Sequence, residues 1–89
     1  MLTEQEQQDL REIMDKGRRA KLFSDFVQEY FMKERVRVIH SLESDTYTKS
    51  DDLLEPVIYL RLIRRFENYI KTCIDSGDLA EKELIENGD

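Results

Sequence analysis

The apolar pattern of this 89-residue chain predicts an all-α protein, an antiparallel hairpin of two long helices. Three observations carry that prediction. Residues 17–43 and 53–76 each repeat apolar side chains at three- and four-residue spacing. The interval between them, residues 44–52, has no apolar side chain except Tyr47, as the turn of an αα-hairpin requires. Three glycines and one proline leave little turn chemistry for a β-rich fold.

The elements follow in order. Thr3 with Glu6 three positions later is a capping box, and helix-favouring residues follow it. A first helix is expected over residues 1–16, with Leu10, Ile13 and Met14 as a narrow apolar stripe. Gly17 is either the stop of this helix or a weak point in a continuous one, with a kink or short break expected there, although Asp15 and Arg19 form an i,i+4 pair across it, as do Glu12 and Lys16 before it. The long helix of residues 17–43 places Leu22, Phe23, Phe26, Val27, Tyr30 and Phe31 on one face, continued by Val38, Ile39 and Leu42. Glu29 and Lys33 add a further i,i+4 pair.

Pro56 belongs in a first turn, because proline lacks an N–H and clashes with the carbonyl four residues back. The second long helix, residues 53–76, therefore starts between Asp52 and Glu55. Leu53, Val57, Leu60, Ile63, Phe66, Ile70 and Ile74 form its broad stripe. Gly77 is expected to end it as a left-handed cap, and Asp78 with Glu81 to start a short last helix over residues 78–86. The whole is one domain, near the lower size limit for independent folding.

A single hairpin presents one seam and leaves much of two broad stripes in water. Self-association into a helical bundle, as a dimer or higher homo-oligomer, is therefore expected. Phe23, Phe26, Tyr30, Phe31, Leu60, Ile63, Phe66 and Ile70 are the residues assigned to the core and the self-association surface, with Phe66 placed where the long helices meet. Spacing among aliphatics makes the aromatic series ordinary core rather than a base-stacking platform.

Charge falls in blocks of alternating sign. Residues 1–15 carry net −4, 16–40 +4, 41–60 −4, 61–74 +3 and 75–89 −5, which total −6. The net charge disfavours non-specific binding of nucleic acid. Folded as a hairpin, the chain is expected to draw Arg35, Arg37, Arg61, Arg64 and Arg65 into one basic band. That band is either a docking surface for an acidic partner or for phosphate, or a solvated face pairing with the acidic ends of a neighbouring chain.

Enzyme chemistry is not expected. His40 and Cys73 each stand without a partner motif. Asp45, Asp51 and Asp52 lack the ligand alternation, central glycine and terminal glutamate of a calcium loop. The chain has no zinc-ligand spacing, phosphate loop or dinucleotide fingerprint, so no metal and no cofactor is expected. One cysteine suits a reducing compartment, the acidic N-terminus has no secretory core, and no apolar run approaches the length that spans a bilayer. A cytoplasmic protein that avoids membranes is the expectation.

A resemblance adds to this. Gly17-Arg18-Arg19-Ala20-Lys21 opens the long helix, a polar gap follows, and Gly77-Asp78-Leu79-Ala80-Glu81-Lys82-Glu83-Leu84 closes the pattern. Across residues 17–84 this order resembles a family of short helical proteins encoded by tailed bacteriophages. The tryptophan frequent in that family's third-helix region is replaced here by Tyr59 or Leu60. The resemblance implies a virion component or assembly factor, located in the host cytoplasm or the virion, and implies no catalytic residues. Its rival is a small acidic phage inhibitor that occupies a host protein's nucleic-acid site. A nucleic-acid-binding adaptor using the arginine band ranks third.

Overall fold

The computed structural model describes residues 1–44 and 50–87, with only the backbone of Ser50 and Asp51. Helix α1 runs over Glu4–Glu43, a 3-10 turn over Ser50–Leu53, and helix α2 over Leu54–Asn87. The turn expected over residues 44–52 thus lies largely outside the described residues. The molecule measures 62 × 22 × 14 Å. At about 1.5 Å per residue α1 alone accounts for about 60 Å. Among the described residues the hairpin is therefore a rod two helices wide and one helix thick, with no further layer over either broad face.

The N-terminus of α1 is capped as its sequence prescribes. The Thr3 hydroxyl accepts from the Glu6 N–H at 3.0 Å, and the Glu6 carboxylate accepts from the Thr3 N–H at 3.2 Å. Those bonds hold the Glu6 carboxyl below its usual range, the Thr3 backbone contributing most. Proline behaves as expected too: Pro56 is buried in the first turn of α2, which begins at Leu54. Of the three expected i,i+4 pairs, Glu29 and Lys33 meet at 3.0 Å.

Two expected boundaries are corrected. Helix α1 is continuous through Gly17, so residues 1–16 form no separate helix; α2 is continuous through Gly77, so residues 78–86 are its last turns. Both glycines are buried within helices, and Asp78 and Glu81 lie mid-helix instead of capping a new one. The reason is tertiary. A Cβ on Gly17 would lie 2.8 Å from the Cys73 carbonyl oxygen and 2.8 Å from the Gly77 Cα. The helices touch there backbone to backbone, which any side chain would prevent. Glycine in a helix costs about 1 kcal/mol relative to alanine, and the close crossing compensates. Ala20 and Ala80 keep the neighbouring turns of this end narrow.

Beyond that crossing the seam follows a seven-residue repeat. Leu10, Gly17, Ser24, Phe31 and Val38 recur along α1, and Pro56, Ile63, Ile70, Gly77 and Leu84 along α2; all are buried or half-buried. A strict seven-residue repeat keeps one stripe against its neighbour when two helices coil left-handedly. The apolar core is thin: among the described residues Val38, Ile63, Ile70, Cys73 and Ala80 are its buried hydrophobic side chains, and no large side chain is fully enclosed.

Candidate interaction surface

The stripe with the densest apolar character in the sequence is not the seam. Phe23, Phe26 and Tyr30 are exposed, Phe26 at 83%. Phe31 and Leu60 are half-buried, and Ile63 and Ile70 are buried between the helices. Phe66 sits at the rim of the seam, 42% exposed, rather than within it. The helical phase explains the difference. Residues seven apart from Phe31 reach α2, while Phe23, Phe26 and Tyr30 occupy the next stripes around α1 and stay exposed.

These rings are ordered among themselves. Phe66 meets Phe23 edge-on, with centroids 5.8 Å apart and planes at 84°, and meets Phe31 at 5.6 Å and 82°. Such geometry lets the positive ring edge face the negative ring centre. Lys16, Phe23, Phe66, Tyr69 and Cys73 line a groove of about 330 Å³ between the helices on this side. Its neighbour, of about 450 Å³, lies around α1 and is lined by Phe26, Val27, Tyr30 and Lys33. The Lys16 ammonium stands 5.3 Å from the Tyr69 ring centroid, and its interaction with the Tyr69 side chain raises its pKa.

Farther along the same side, Glu34 gathers three donors. The Tyr59 hydroxyl donates at 2.6 Å, the Tyr30 hydroxyl at 3.3 Å, and the Arg37 Nε at 2.8 Å. Hydrogen bonds from Arg37 first and Tyr59 second pull the Glu34 carboxyl down to about 2. The same carboxylate, with burial, pushes the Tyr59 hydroxyl up to about 12. This cluster ties α1 to α2 across the hairpin. Tyr59 gave no sequence signal for the role, because its partner lies on the other helix.

The five arginines do not form one uniform band. Arg35 pairs with Glu67 across the hairpin, so Glu67 is not a free surface acid, and Arg37 pairs with Glu34 near Tyr59. These two pairs flank the seam on opposite sides. Arg61, Arg64 and Arg65 are exposed and make no ion pair with a described residue. At the end holding both termini, the Arg18–Glu81 pair at 3.5 Å is the one ion pair among the described residues.

Cys73 is buried in the groove wall, and His40 is exposed near the end of α1. Among the described residues no group of three or more His, Cys, Asp or Glu is arranged to hold a metal ion. Also among them, no helix is long and apolar enough to cross a membrane. The chain matches no known protein family, no curated protein and no solved structure.

Proposed function

We propose that the chain is a non-enzymatic assembly module that works by association, first of all with itself. The observation that supports this is the exposed aromatic side of a hairpin with too little core. The molecule presents 7326 Å² of accessible surface. A compact monomer of 10.7 kDa presents about 5,500 Å². Apolar side chains contribute to the difference, since Phe23, Phe26, Tyr30, Leu62, Phe66 and Tyr69 are all exposed. Burying one such side chain contributes about 1.5–3 kcal/mol. A pair of hairpins closing over those rings forms a four-helix bundle. A role as a phage virion component or assembly factor follows from the family resemblance alone.

Light scattering at micromolar concentration tests the reading. A mass of at least twice the chain's is expected; a monomer that unfolds cooperatively refutes it.

A further inference from the structure

The groove beside Phe23, Phe66 and Tyr69 is apolar in its walls and cationic at its rim. Lys16 and Arg19 line it from α1. The seven-residue stripes through Phe23 and Phe26 on α1, and through Arg65, Phe66 and Tyr69 on α2, turn toward this side. Over residues 16–33 and 58–73 these five stripes hold four bases, Lys16, Arg19, Lys33 and Arg65, and no acid. Lys33 is paired with Glu29, but Lys16, Arg19 and Arg65 make no ion pair with a described residue. Glu12 lies one turn before Lys16, yet the Lys16 ammonium stands over the Tyr69 ring instead.

We infer that this groove takes an amphipathic helix of a partner protein, apolar where it lies on the rings and acidic along both of its edges. The inference rests on the association proposed above and names a second occupant for the same face, one that competes with another copy of the chain.

Charge favours that occupant. A second copy centred on the same rings brings bases toward bases, whereas acidic edges meet Lys16 and Arg19 on one side and Arg65 on the other. Shape favours it as well. A helix laid along two others completes a bundle, with its apolar anchors at i, i+3, i+4 and i+7. Residues 16–33 of α1 extend for about 26 Å, which a partner helix of about 18 residues spans. An extended segment fits less well, because the backbone groups of both helices are already bonded within the helices and offer a strand no partners. A long nucleic acid would run onto the terminal end, where residues 1–15 carry −4 and residues 75–89 carry −5.

The test uses the full chain and a synthetic, fluorescently labelled helical peptide of about 18 residues, with leucine at the anchor positions and glutamate along both edges. Its counterpart carries lysine for every glutamate, and a third ligand is an oligothymidylate of the same length. Fluorescence anisotropy is expected to show the acidic peptide binding at least about tenfold tighter than the basic one, with the difference shrinking as salt rises. Lys16→Glu, Arg19→Glu and Arg65→Glu together, with helicity checked by circular dichroism, are expected to reverse the preference. Arg64→Glu with Lys71→Glu is expected to leave it unchanged, because Lys71 shares a cavity with Glu67 on the other side of the hairpin and Arg64 lies on the same stripe as Lys71. Equal binding of the two peptides, a preference that survives the triple variant, or an oligothymidylate bound as tightly as the acidic peptide overturns the inference. Sedimentation separates it from the self-association on which it builds. A chain that is monomeric alone yet binds the acidic peptide removes the self-association and keeps the acidic partner; a chain that self-associates and ignores the acidic peptide does the reverse.

Discussion

Replacing Gly17 by alanine sets two effects of opposite sign against each other. In a solvent-exposed helix the change is stabilising by about 1 kcal/mol, because glycine gives up more backbone freedom. Here the new Cβ would sit 2.8 Å from both the Cys73 carbonyl oxygen and the Gly77 Cα, against 3.4–4 Å for ordinary contact. Both obstacles are backbone, so no side-chain rotation relieves them. The helices must part by at least about 0.6 Å at the crossing. A gap of 0.5–1 Å already forfeits about a quarter to a half of each dispersion contact it opens, and the adjoining seam holds Ile70, Cys73 and Ala80, which belong to the small core. Overpacking of this kind costs about 1–3 kcal/mol. After the gain in helix propensity, a net loss of about 0–2 kcal/mol remains. For a domain of this size that lowers Tm by up to about 16 °C. Thermal and urea unfolding followed by far-ultraviolet circular dichroism, at one fixed chain concentration, measures it. Gly77→Ala should behave alike, and the double variant should lose less than the sum, since one parting of the helices admits both methyl groups. A stabilised Gly17→Ala variant would show that the helices do not cross at these glycines.

Two further outcomes are expected. Ile70→Ala, at a side chain only 6% exposed, should cost about 2–5 kcal/mol at any chain concentration; Phe66→Ala should cost less in dilute solution and more where the chain associates. Urea titrations at two concentrations check this, and a large, concentration-independent loss for Phe66→Ala would place that ring in the hairpin core. For pH, the Glu34 carboxyl is lowered from 4.5 to about 2 on folding, so its stabilisation is complete above 4.5 and fades as pH falls toward 2. The Tyr59 hydroxyl is raised from 10.0 to about 12, so its share is complete below 10 and fades as pH rises toward 12. Stability should therefore be level between these limits, and Glu34→Gln should flatten the acid limb; an unchanged acid limb in that variant would deny Glu34 its role.

Local pattern alone set the helical class, the capped start at Thr3 and the start of α2 around Pro56. Period, capping and proline chemistry act within a few residues, and nothing distant reverses them. The roles of Gly17 and Gly77 were decided only by tertiary structure. A glycine read locally is a break or a cap, and only a second backbone arriving at contact distance makes it a crossing point. The same holds for Phe23, Phe26, Tyr30 and Phe66. Their density marked an apolar surface, but which stripe faces the other helix depends on the phase at which two helices meet. That phase is set where the backbones touch at Gly17 and Gly77, and it leaves the ring-bearing stripes outside. The arginines follow the same rule, since sequence counts their charge while the fold gives Arg35 to Glu67 and Arg37 to Glu34 and leaves Arg61, Arg64 and Arg65 without ion pairs among the described residues.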